Sequence, residues 1–422
     1  MPVVRAASAA TALLLLLAPV SAARAQAPIK IGVLVPLSGN FAVPGQQTVA
    51  GLKMYFDEIG NKAGGHPLDI IVEDTQTKPD VAVTKASKLV ERDGAQILTG
   101  VIGGGESYAA DDFSRQNKVP LVISGDAGQD ELTLPGPLAN PYMVRVTMSG
   151  RTATAAAADW AYKKGWRKVA MIAADYAGGV DTNFEFARAF CRLGAQVIQA
   201  QWPAFGTTDF GPYLTAVDRS ADALFDFEPG ADGLRFLHQF VDFGLKGKMP
   251  VFDLWGTVVF EPYLAQTGDA ALGMYSSEIY TPLLKTPENE RFVAEFKKRM
   301  NGELPEHEAP NGYVGAHAIA DAIDAVQGDL SDTTKFMTAL RAVHFPSPKG
   351  EIKLDKYGNV IQSMYIREVE KVDGQLGNVP IATYSSIGQF WPFAEAEYAS
   401  FKIDYRNGKD ALTDCTKLLA KK

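Results

Sequence analysis

The sequence predicts an α/β protein built from two doubly wound lobes joined by three crossover strands. Three observations predict it. Apolar, branched runs alternate with helical segments, the pattern of parallel strands covered by helices on both faces. The alternation occurs twice, first from Ile29 and again from about Val169. The 422 residues, 46% of them hydrophobic, also exceed what a single core normally organises.

In the first unit "IKIGVLVPL" (Ile29–Leu37) reads as a buried strand. The next segment places Val49, Leu52, Tyr55, Phe56 and Ile59 on one helical face and stops at Gly64-Gly65. "HPLDIIVEDTQ" is a strand and "PDVAVTKASKLVERDG" a helix. The apolar run Ile97–Ile102 is the third strand, and "VPLVIS" the fourth. In the second unit "KVAMIAADYAGG", "AQVIQAQWP", "ADALFDFEPG" and "MPVFDLWG" repeat those four strands, with Asp181–Arg192 as the first helix. Helices over Glu288–Asn301 and Gly312–Val326 return to lobe one. A hairpin about Lys356-Tyr357-Gly358-Asn359 carries the last strands to lobe two. Crossings are expected near Arg145–Thr147, Ile279–Thr281 and Lys353–Tyr357. Lobe one then comprises residues 26–146 with 281–355, and lobe two 147–280 with 356–422.

The N-terminus reads as an export signal of residues 1–25. Arg5 precedes an apolar core from Ala12 to Val20, and Ala23-Arg24-Ala25 is a cleavage pattern before Gln26. The core is too short to span a bilayer, and no cysteine follows the cleavage point to carry a lipid. The mature protein is expected in the periplasm as a soluble monomer. The net charge of the whole chain is -8, and without a basic stripe this argues against nucleic acid. Cys191 and Cys415 are equally readable as one disulfide or as two buried thiols. With five scattered histidines they give no metal-site spacing.

Ligands of doubly wound sheets collect at the carboxyl ends of the strands. In lobe one those rims are Leu37–Pro44, Thr75–Lys78, Gly103–Ser107 and Gly125–Gly128. In lobe two they are Asp175–Val180, Pro203–Thr208, Glu228–Gly230 and Trp255–Thr257. Facing rims make a cleft lined by Phe41, Tyr176, Phe205, Phe227 and Trp255, with Phe205 the one better read as core. The stretch "TGVIGGGESYAADDF" joins strand, Gly-rich turn and helix start, where free backbone N–H groups suit an anion. Phosphate is disfavoured there, because Gly103–Tyr108 lacks the third glycine of the dinucleotide fingerprint and Glu106 adds negative charge. No nucleophile elbow or Walker motif is present. Asp126, Asp226, Glu228 and Asp253 have no spacing that demands acid–base catalysis. The chain is therefore expected to be no enzyme and to carry no cofactor.

The opening "IKIGVLVPLSGNFAVPGQQTVAGLKMYFDEIG" resembles the solute-binding proteins of ABC importers, of the branched-chain amino-acid-binding type. "LTGVIGGGESYAADDF", "VPLVISGDAGQDELT", "AADYAGG", "FGTTDFGPYL" and "GEIKLDKYGN" extend the likeness over nearly the whole mature chain. The resemblance implies two Rossmann-like lobes of the type I periplasmic binding protein fold, hinged closure over a small molecule, and an ABC permease as partner. It places a ligand carboxylate on Gly105, Glu106 and Ser107, with further contacts from Asp126, Ala127 and Gly128. A lobe-two ring falls at Tyr176, and a further aromatic position at Phe227 or Glu228. The acid that binds a ligand ammonium in such proteins aligns with Trp255. An unpaired buried ammonium costs several kcal/mol. The ligand therefore either lacks an ammonium or pairs it with Asp126, Glu228 or Asp253. A hydrophobic or aromatic carboxylate is the first expectation, and a branched-chain or aromatic amino acid the second. A ligand sensor feeding a membrane partner, and less readily an exported two-lobed enzyme, are the competing readings.

Overall fold

The computed structural model describes residues 1–3, 26–127, 129–136, 139–402 and 408–422. Residues 4–25 of the expected signal and Gly128 lie outside the described residues.

The first sheet contains β1 (Ile29–Val35), β2 (Lys62–Ala63), β3 (His66–Asp74), β4 (Ile97–Gly100), β5 (Leu121–Ile123) and β6 (Met143–Arg145). Its order is β2-β3-β1-β4-β5-β6, parallel except for the β2–β3 hairpin. The second sheet begins with β7 (Lys168–Ala173), β8 (Gln196–Gln201), β9 (Ala223–Phe227), β10 (Val251–Leu254) and β11 (Tyr275–Glu278). These run β8-β7-β9-β10-β11, the same order as β3-β1-β4-β5-β6, so the doubled alternation of the sequence is a doubled topology. Both sheets are buried on two faces, as parallel sheets must be. Along β7, Val169, Met171 and Ala173 enter one core, while Ala170 and Ile172 enter another.

Four strands complete the chain: β12 (His344–Ser347), β13 (Gly350–Leu354), β14 (Val360–Val372) and β15 (Gln375–Ile387). The helices Pro287–Arg299 and Glu308–Ala325 pack against helix Ala42–Glu58 of lobe one. β14 then starts in the first core with Val360 and enters the second with Met364 and Ile366, pairing with β11. The strand pair read about Lys356-Tyr357-Gly358-Asn359 is β13–β14, and a longer β14–β15 hairpin, not read from the sequence, follows it.

Cys191 and Cys415 form a disulfide that ties the C-terminal helix turn to helix Ala177–Arg192. Among the described residues, no helix is long and apolar enough to cross a membrane.

Candidate functional site

The carboxyl ends of both sheets face each other, and the lobes are in contact. Phe41 of lobe one stacks on Phe205 of lobe two with ring centroids 5.7 Å apart. Phe205 also packs on Tyr176 at 4.9 Å, so it belongs to the cleft and not to a core. Between the lobes lies a narrow pocket of about 40 Å3, which a ligand enters only as the lobes part. Its walls are Phe41, Tyr176, Phe227, Trp255 and Phe260, and its polar side is Asp126, His307 and Glu308.

Trp255 reaches this pocket from an uncommon backbone. It follows β10 with φ +66°, and Gly256 follows with φ +62°. A bulky residue in the left-handed region costs roughly 1–2 kcal/mol. The Asp253 carboxylate holds the turn in place by accepting from Thr257 N and Oγ1, both at 2.9 Å, from Val258 N at 2.6 Å and from Val259 N at 2.8 Å. Burial pushes Asp253 up to about 7 even against these bonds. Gly256 is required as well, since a Cβ there would sit 2.1 Å from Arg367 Nη2. The turn delivers an indole that is 5% exposed, with an Nε1 that has no hydrogen-bond acceptor. Strain of this kind concentrates where a side chain is being aimed.

The Gly-rich stretch forms a different part of the cleft. Gly103, φ +102°, precedes helix Gly104–Asn117, which has no side-chain cap. A Cβ on Gly104 would lie 2.9 Å from Gly178 N, at the uncapped start of helix Ala177–Arg192. Two helix N-termini from opposite lobes thus meet at Gly104, which concentrates unsatisfied N–H groups and positive potential.

Of the residues singled out in the sequence, Phe41, Asp126, Tyr176, Phe227 and Trp255 line the one pocket. The others point elsewhere. A Cβ on Gly105 would face Pro79 at 3.0 Å. Glu106 is buried near Thr75, and burial pushes it up to about 8, so it is neutral at pH 7. That removes its repulsion of an anion. Ser107 Oγ is committed within lobe one, 2.5 Å from Gln129 Oε1 and 2.8 Å from the Gly104 carbonyl oxygen. Ala127 is in a lobe-one core. Glu228 is fully buried and does not line the pocket, because successive strand residues face opposite ways and Phe227 takes the inward one. Burial first, and then Asp232, raise the Glu228 carboxyl well above its ordinary value.

His307, Glu308 and Phe260 were not anticipated. His307 Nε2 lies 2.5 Å from Asp126 Oδ2, and its Nδ1 lies 3.1 Å from Glu278 Oε2. Burial opposes its charge, but Asp126 and Glu278 on either side outweigh it and hold the imidazolium. The run Glu306-His307-Glu308 opening a helix was the available signal. It sits 181 residues from Asp126, beyond the reach of spacing rules.

Residues 28–375 match the sequence family described as periplasmic binding protein. A Leu/Ile/Val-binding protein homolog 6 of Brucella melitensis is 32% identical, over 85% of this chain and 92% of its own. An ABC transporter substrate-binding protein from Sphaerobacter thermophilus superposes with TM-score 0.80 at 34% identity, covering 85% of this chain and 98% of its own. A solute-binding protein of an ABC transporter from Rhodopseudomonas palustris HaA2, in complex with p-hydroxybenzoic acid, gives TM-score 0.81 at 31% identity, covering 88% and 100%.

Proposed function

The chain belongs to the periplasmic binding protein family, and we propose that it captures an aromatic carboxylate in the periplasm and presents it to the membrane subunits of an ABC importer. The observation that carries this reading is the buried Trp255 Nε1, a hydrogen-bond donor without an acceptor, in a pocket walled by Phe41, Tyr176, Phe227 and Phe260. A flat ring gains area and favourable edge or face contacts against such walls. An acceptor oxygen on it satisfies the indole N–H, which would otherwise stay desolvated at a cost of about 1–3 kcal/mol.

Lobe closure follows from the same geometry. The pocket draws on both lobes, so a ligand that touches Phe41 and Trp255 together stabilises the closed form over the open one. We take the hinge to be the three crossings after β6, after β11 and within β14. The paired helix starts at Gly104 and Gly178 are the second seat for negative charge, with Glu106 behind them kept neutral by burial. The R. palustris HaA2 relative, bound to p-hydroxybenzoic acid, supports an aromatic acid.

Binding without turnover suits the placement of the acids. Asp253 is occupied in holding the Trp255 turn, Asp226 and Glu228 lie outside the pocket lining, and Asp126, which does line it, is paired with His307. A thermal-shift screen of benzoate, 4-hydroxybenzoate, L-leucine and L-phenylalanine tests the reading. The aromatic acids should raise the melting temperature by mass action. Stabilisation by the amino acids alone would overturn it.

A further inference from the structure

We propose that Asp126, His307 and Glu308 form a binding site for a divalent transition cation of the zinc or manganese class on the polar wall of the pocket. The three offer one ligand atom each, all within 4.8 Å of one another, and this is the one such group among the described residues. His307 Nε2 is 2.5 Å from Asp126 Oδ2 and 3.8 Å from Glu308 Oε1. Bonds of about 2.0–2.2 Å to one tetrahedral ion require ligand atoms roughly 3.4 Å apart. Side-chain shifts on the order of 1 Å bring all three into range.

The surroundings present these atoms as ligands are usually presented. Asp126 Oδ1 accepts from Thr147 Oγ1 at 3.1 Å and from Asn311 Nδ2 at 3.5 Å, while Oδ2 is paired with His307 Nε2, whose proton the cation would displace to solvent on binding. Glu308 Oε2 accepts from Thr48 Oγ1 at 3.2 Å, which leaves Oε1. The Glu278 carboxylate stands 3.1 Å behind His307 Nδ1, so that Nε2 points at the other two. A carboxylate behind a ligating imidazole is a common orienting device of metal sites. Two carboxylates and one imidazole suit zinc or manganese and do not suit a soft ion that prefers thiolates.

Trp255, 5% exposed, lines the same pocket with an unpartnered Nε1. Resting on the aromatic-acid reading, the cation would offset Asp126 and Glu308 and let an oxygen of an anionic ligand approach this wall.

The test uses chelator-treated full-length mature protein titrated calorimetrically with ZnCl2 or MnCl2 alone. One equivalent should bind, and Asp126→Asn and His307→Ala should each weaken it at least tenfold. Cobalt(II) added to the unaltered protein provides a reading that needs no variant. A visible ligand-field band saturating at one equivalent is expected. Absence of both the heat and the band, or binding unchanged in Asp126→Asn, overturns the site. Binding of 4-hydroxybenzoate to the chelated protein is measured in parallel. If it persists while no metal binds, the cation site alone is wrong.

Discussion

Trp255 stands edge-on to Phe227, ring centroids 5.7 Å apart and planes at 88°. The pair forms the lobe-two corner of the pocket, with Tyr176 stacked at 6.3 Å on the other side of Phe227. The corner explains how one residue can supply both a wall and a donor: the indole face is packed and its N–H is free.

Replacing Trp255 by Phe keeps an aromatic wall and deletes the donor. Affinity for an aromatic carboxylate should fall by roughly 1.5–3 kcal/mol, the range for a hydrogen bond to a charged group. Calorimetric titration measures it. An unchanged affinity would remove Nε1 from ligand recognition.

Gly104→Ala places a methyl 2.9 Å from Gly178 N across the cleft. The nearer contact, 2.6 Å from Gln129 Nε2, lies within lobe one and ends on a side chain that can turn aside, whereas the backbone contact at Gly178 arises only with the lobes closed. Ligand affinity should therefore drop while the melting temperature of ligand-free protein changes little. A parallel loss of both would mean that the contact supports the fold and not closure.

Glu106 makes stability depend on pH in a defined direction. Its folded value of about 8 lies above the ordinary 4.5, because burial disfavours the charge. Its contribution is whole below pH 4.5 and is lost as pH rises toward 8, since only the unfolded chain releases the proton. Glu106→Gln removes that loss. The melting-temperature advantage of the variant over wild type should grow from pH 5 to pH 8 in a scanning series, and a constant difference would contradict it.

The Cys191–Cys415 disulfide closes a span of 224 residues. Replacing both by Ser should cost about 2–5 kcal/mol of stability, the usual range for a native disulfide, read from denaturant midpoints. The effect should be confined to lobe two, so ligand affinity should be kept.

Much of the fold was legible because it is periodic. Runs such as Ile29–Val35 and Lys168–Ala173 announce parallel strands, and their recurrence announces two lobes. β15 was not legible: Gly377 and Pro380 interrupt its pattern, which an outer strand tolerates because one edge needs no partner. Within the candidate site, residues just past strands were readable, and Phe41, Asp126, Tyr176, Phe227 and Trp255 do converge. His307 was not, because it enters from the start of a helix returned from lobe two. Glu228 shows the converse limit: its position past β9 was readable, and its turn away from the pocket was not. The register of the strand end decides which of two neighbours faces the cleft.

The central claim is that the aromatic pocket holds an aromatic carboxylate between the lobes. The most direct measurement is a calorimetric titration of purified protein with 4-hydroxybenzoate and with L-leucine. Saturable one-to-one binding of 4-hydroxybenzoate, with no heat from leucine, is predicted. Saturable binding of leucine and none of the aromatic acid would contradict it.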